Sequence, residues 1–239
     1  MKFCIATFAA AFCLICFSHA QSEKERIPKT DTDISSGDRT FRIVFPERPN
    51  SSPKSAYLFD GKESQLVSLP SMNFSRVIAI RNGEVMLYLT DEKITDPENV
   101  PPNAPRLRIP EEVREFYILM TPDTSNATLP LRMNLVNTSD GKLSPGETLW
   151  FNLTGHRVIA KLGDSKLSVS PKSSSVTKDP APESGYYRAE FALQADEKGQ
   201  FRKIADQKWW HDAKSRHVGF IVDTGGRLPK IYCFRDFRL

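Results

Sequence analysis

From Thr40 onward, apolar residues recur at every second position in short runs. Phe41, Ile43 and Phe45 alternate with Arg42, and Leu131, Met133 and Leu135 alternate with Arg132 and Asn134. The longest run is Tyr187, Ala189, Phe191, Leu193 and Ala195, with Arg188, Glu190 and Gln194 between them. A period of two sends one set of side chains to a core and the other to water, which predicts antiparallel strands with one wet face. About fourteen such segments follow one another, separated by Gly, Pro, Asn and Asp turn signals. Asn82-Gly83, between residues 77–80 and 85–89, predicts a two-residue hairpin. Asp140-Gly141 and Gly225-Gly226 predict further turns. Pro110-Glu111-Glu112-Val113 suits the start of one short helical turn, but no window sustains helical spacing over three turns. The pattern is all-β.

Fourteen strands exceed one seven-stranded immunoglobulin-like sandwich and fit two in succession. The polar, Pro-bounded stretch 121–130 offers a seam, which predicts a first sandwich over 40–124 and a second over 125–239. One larger sandwich is the competing architecture. Residues 96–105, with four of the seventeen prolines, predict a long connection inside the first half. Residues 21–39 carry only Ile27 and Ile34 as aliphatic side chains and predict a flexible tether.

The N-terminus changes the picture of where the protein acts. Lys2 precedes an uncharged apolar run from Phe3 to Phe17, and Ser18-His19-Ala20 places small residues at the −3 and −1 positions of a cleavage site. That order predicts a secretory signal peptide cleaved after Ala20 and a secreted or periplasmic location. A lipoprotein leader wants a small residue before its cysteine, and Ile15 precedes Cys16. No later segment has the length of a membrane span, so no stable membrane insertion is expected after cleavage. Cys4, Cys13 and Cys16 leave with the leader, and Cys233 alone remains. It alternates with Ile231 and reads as a small apolar core side chain. Asn50, Asn73, Asn126, Asn137 and Asn152 each begin an Asn-x-Ser/Thr triplet, and Asn152 lies inside an apolar strand pattern, a poor place for a glycan. The net charge of +4, from 33 basic and 29 acidic residues, is too mild to point to a nucleic-acid partner.

Candidate chemistry concentrates in Trp209-Trp210-His211-Asp212. Successive strand residues face opposite ways, so one Trp enters the core and the other stays accessible. An exposed indole beside His211 and Asp212 suits stacking on a sugar ring with hydrogen bonds to its hydroxyls. The blander reading has both indoles closing one end of a sandwich, with Asp212 opening a turn through its own backbone. His211 and His217 lie six apart without the His-Glu-x-x-His spacing of a helical zinc site, and His156 joins them only if the fold brings it near. There is no Gly-x-Ser-x-Gly elbow, Gly225-Gly226-Arg227 lacks the rest of a phosphate loop, and Glu111-Glu112 fall on different sides of a turn. No catalytic residue, metal or cofactor is expected.

The blocks Tyr117-Ile-Leu-Met-Thr-Pro-Asp123, Leu149-Trp-Phe-Asn-Leu-Thr-Gly155, Trp210-His-Asp212 and Arg216-His-Val-Gly-Phe220 resemble a family of small secreted β-rich proteins of verrucomicrobial-type bacteria without an assigned activity. The likeness runs over residues 57–236, mostly as hydrophobic pattern. Ala213 stands where the family tends to carry Pro after the His-Asp pair. The resemblance implies a β fold and an envelope location, and it transfers no catalytic residues. Together these readings predict a non-enzymatic binding or structural module of the envelope, its partner an envelope protein or a polysaccharide. The alternative is a carbohydrate-binding accessory module centred on Trp209, Trp210, His211 and Asp212.

Overall fold

The computed structural model describes residues 39–138, 143–178, 180–194 and 199–236. The leader, residues 21–38 of the tether, Asp140-Gly141 and Ala195 lie outside the described residues. The alternating segments form β1 (Arg39–Val44), β2 (Ser55–Phe59), β3 (Ser64–Ser68), β4 (Ile78–Ile80), β5 (Val85–Thr90), β6 (Arg106–Ile109), β7 (Glu115–Pro122) and β8 (Leu131–Asn137). Eight more follow: β9 (Thr148–Asn152), β10 (Val158–Leu162), β11 (Ser165–Val169), β12 (Ser173–Thr177), β13 (Gly185–Gln194), β14 (Phe201–His211), β15 (Arg216–Val222) and β16 (Lys230–Asp236). A 3-10 turn at Pro97–Asn99 lies in the long β5–β6 connection, and Val113 closes a single turn on the Pro110 carbonyl.

The strands make four sheets of four, in the orders β4-β1-β7-β8, β3-β2-β5-β6, β12-β9-β15-β16 and β11-β10-β13-β14. The last two orders are the first two with eight added to every strand number. Each half therefore repeats one topology, including a parallel pairing of its first strand with its seventh, β1 with β7 and β9 with β15. The repeat leaves no trace in residue identities. The reason is physical: a sheet position asks for an apolar or polar side chain of suitable shape, which many residues supply.

Two expectations need correction. Asn82-Gly83 does form a turn, with Gly83 at φ 83°, but β4 pairs with β1 and β5 pairs with β2 and β6. The turn carries the chain across from one sheet to the other. Arg39 accounts for this. Placed in the tether by sequence, it is the first residue of β1 and fully buried. Its guanidinium donates to the carbonyls of Val113 at 2.9 Å, Arg81 at 3.1 Å, Pro110 at 2.6 Å and also Gly83, tying the corner to the β6–β7 turn. Second, β8 falls in the second half by the 124/125 division, yet it pairs with β7 from Phe116↔Asn137 to Pro122↔Leu131. The polar stretch 121–130 is a hairpin loop, and the first set of strands runs on to Asn137.

Three apolar layers separate the four sheets. Phe41, Ile43, Leu58, Leu87, Phe116 and Ile118 belong to the layer inside the first pair. Trp150, Val158, Leu162, Phe191 and Ile221 belong to the layer inside the second. Between the pairs, Val44, Phe74, Tyr117 and Leu119 meet Phe151, Val218, Phe220 and Phe234. A buried ion pair stands in this middle layer: Arg42 Nη1 lies 2.7 Å from Asp236 Oδ1, and Tyr117 donates to Asp236 Oδ2 at 2.8 Å. Arg42 also donates through Nε to the Ser75 carbonyl and covers the Phe74 ring at 4.7 Å. Both faces of the central strands β9 and β15 are thus buried, which explains why Thr148–Asn152 has no exposed side. Asn152 fits there because its amide donates to the carbonyls of His156, Val169 and Ser170 while Thr154 donates to its oxygen. The outer sheets keep one wet face each, and β11-β10-β13-β14 is one of them.

Candidate functional site

The bulk of the Trp209-Trp210-His211-Asp212 cluster ends β14, and the β13–β14 register sets its orientation. Tyr186 stands opposite Trp210, Tyr187 opposite Trp209 and Gly185 opposite His211. Trp209 turns inward. Its ring stacks on Trp150 with centroids 6.0 Å apart and lies 5.5 Å from Phe191, and its Nε1 donates to Gln207 Oε1 at 2.8 Å. Trp210 turns outward and is 53% exposed. His211 is buried, and Asp212 lies past the strand end. The alternation of faces holds, so the four residues do not form one surface.

Asp212 opens the β14–β15 turn. Its Oδ1 accepts from the Lys214 amide at 3.1 Å, its Oδ2 accepts from Ser215 Oγ at 2.9 Å, and Arg235 Nη2 stands 3.1 Å from Oδ2. The backbone bond from Lys214, then the Ser215 hydroxyl, hold the carboxyl below the usual carboxylate range. These bonds tie both oxygens to the turn and to β16. The turn brings His211 and His217 together with ring centroids 6.1 Å apart, and Tyr187 crosses His211 edge-on at 6.4 Å. They line a cavity of about 390 Å³ with Thr148, Trp209, Trp210 and Cys233 and with Met72 from the first half of the chain. His211 Nε2 and His217 Nδ1 are buried there without a hydrogen-bond partner.

His156 does not join them. It lies in the turn after β9, beside Asn152, whereas His217 stands opposite Thr148 at the other end of that strand. Among the described residues, no group of three His, Cys, Asp or Glu side chains is placed to hold a metal ion. Burial pushes the Cys233 thiol up to about 12, which leaves almost no thiolate at neutral pH. Burial first, then the neighbouring His211, pushes the His217 imidazole below its ordinary value. The cavity therefore holds two imidazoles beside a thiol kept in its protonated form.

The outward face of β11-β10-β13-β14 presents a different surface. Tyr186 is 64% exposed and meets Trp210 edge-on with centroids 5.0 Å apart, while Lys208 Nζ sits 4.9 Å over the Tyr186 ring. Further along, Arg188 pairs with Asp206 at 2.8 Å and Glu190 at 3.1 Å, and Lys203 also pairs with Asp206. These bonds hold the Asp206 carboxyl far below the usual range, with the bond from Arg188 the largest cause. Phe201 begins β14, 47% exposed, on the same face. Three of the six exposed large apolar side chains found among the described residues, Tyr186, Phe201 and Trp210, thus share one sheet face. Trp210 is the one residue of the expected cluster on it. Tyr186 and Phe201 were legible only once the register of β13 on β14 is known.

No protein-family model and no curated protein matches the chain in sequence.

Proposed function

We propose that the protein is an exported, non-catalytic binding module of the cell envelope that holds a polysaccharide on the outer face of β11-β10-β13-β14. The observation that carries this reading is the exposed Tyr186–Trp210 pair, packed edge to face on a sheet surface studded with charged side chains. Flat aromatic rings pack against the apolar faces of sugar rings, and polar neighbours fix their orientation. Exposed aromatics of this size cost solubility unless they meet a partner. The leader pattern ending at Ala20 supports export, and the resemblance to secreted envelope proteins supports the location.

The scaffold suits a binding role. Register and cross-strand packing fix Trp210 and Tyr186 on adjacent strands, so little conformational entropy is lost on binding. Relative to the expected cluster, Trp210 is kept, Trp209 and His211 become structural supports, and Asp212 holds the turn.

Retention in affinity electrophoresis through gels containing polysaccharides extracted from the native envelope tests the reading. Wild-type protein should be retarded, and Trp210→Ala should migrate freely with an unchanged melting curve. Equal retardation of the two proteins, or none for the wild type on any envelope fraction, contradicts it.

A further inference from the structure

Building on the proposed function, we infer that the polysaccharide is anionic and runs across the sheet from the Tyr186–Trp210 pair to a basic depression bounded by Lys161, Lys166 and Lys203. The depression, of about 680 Å³, has Ile159, Ala192 and Phe201 among its apolar walls. Lys161 and Lys166 are direct cross-strand partners on β10 and β11. Like charges opposed in this way are destabilising for a sheet. Neither lysine has an ion-pair partner among the described residues. The acid opposite Lys161, Glu190, lies 3.1 Å from Arg188 and 3.8 Å from Lys203 instead.

Among the described residues, the outward face carries more positive than negative charge. Arg157, Lys161, Lys166, Arg188, Lys203 and Lys208 stand against Glu190 and Asp206. Arg157 is turned toward Ser168, donating to its hydroxyl at 3.2 Å. An excess of cations concentrated at β10–β11, left uncompensated by the fold, complements a polymer with acidic substituents. Trp210 and Phe201 lie nine residues apart on β14, roughly 30 Å at strand rise, so the surface fits a chain of sugars better than a single one.

Single-stranded nucleic acid also combines negative charge with stacking faces. The carboxylates of Glu190 and Asp206 sit in the middle of the path. Both are already engaged by Arg188 and Lys203, and the exposed rings Tyr186, Trp210 and Phe201 stand at the two ends of that path, whereas successive bases stack on closely spaced rings, which favours the acidic polysaccharide.

The test compares polygalacturonate with its fully methyl-esterified form, the same backbone without charge, as probes in affinity electrophoresis. Wild-type protein should be retarded by polygalacturonate and not by the ester, and retardation should fade as salt screens the charges. The double variant Lys161→Gln, Lys166→Gln should lose about tenfold or more in affinity, and Lys62→Gln, on the other half, should lose none. The double variant should melt no lower than wild type, because it relieves a like-charge pair. Equal retardation by both forms, abolished by Trp210→Ala, keeps the binding reading and overturns the anionic ligand. No retardation by either form overturns the anionic ligand, while the envelope-extract experiment still decides the binding reading. Tighter binding to single-stranded DNA than to polygalacturonate overturns it in favour of a nucleic acid.

Discussion

Truncating Trp209 to alanine removes an indole stacked on Trp150 and packed on Phe191, so it should cost about 3–5 kcal/mol in a denaturant melt. Trp210→Ala, one residue on, should change stability by no more than ~0.5 kcal/mol, because its ring lies on the wet face. Equal losses at the two positions would refute the register of β14. A second residue-scale prediction concerns Gly219. A methyl group there meets the Trp150 ring at 2.2 Å, and Trp150 is fully buried with its Nε1 bonded to Thr177. Gly219→Ala should therefore lower stability by about 1–3 kcal/mol or more, as overpacking does, in the same melt. The opposite orientations of Trp209 and Trp210 were legible in the sequence, because period two needs no partner strand. The need for Gly219 was not, since it arises from a parallel neighbour, β9, some seventy residues away.

At the scale of elements, the β14–β15 turn brings a pair of imidazoles to one cavity. His217 is held below its ordinary value by burial, His211 and Arg235, against a weaker opposing pull from Asp212. The unfolded chain thus takes up the proton first as pH falls. This contribution to stability is full above about pH 6.5, the unfolded value, and is lost as pH drops toward the depressed folded value. His217→Asn should flatten the acid-side slope of stability below about pH 6.5 in denaturant melts at several pH values. An unchanged slope would show that this histidine is solvated in the folded state. Element existence was legible here where alternation was strong, as in β13. It was not legible for β12, whose five residues Ser173–Thr177 contain one aliphatic side chain and pair through β9. The Asn82-Gly83 signal identified a turn correctly and its sheet wrongly. Turn chemistry fixes local backbone geometry, while which strands meet depends on partners distant in sequence, here β1, whose buried Arg39 bonds both sides of that corner.

Across the whole molecule, two copies of one eight-stranded topology meet through an aromatic layer and the Arg42–Asp236 pair, with Lys230 and Glu47 bridging the rim. Asp236→Ala removes the carboxylate that Arg42 Nη1 and the Tyr117 hydroxyl bond in the buried middle layer, and should cost about 3–5 kcal/mol. The loss should appear in one cooperative transition. Two resolved transitions in the wild-type melt would show instead that the halves unfold independently. All-β character was legible from period two alone. The packing of the halves left a local trace in the near-continuous apolar runs 116–120 and 218–222, the pattern of strands covered on both faces, but nothing local says which strands supply the cover. The candidate site was legible in one residue, Trp210, whose partners Tyr186 and Phe201 depend on register. The most direct measurement is an amide and indole chemical-shift titration of the labelled protein with a polysaccharide that retards it. Binding on the outer face predicts shifts at Trp210, Tyr186 and Phe201, with Trp209 and the His211–His217 cavity unmoved. Shifts confined to that cavity, with the Trp210 indole unchanged, would contradict it.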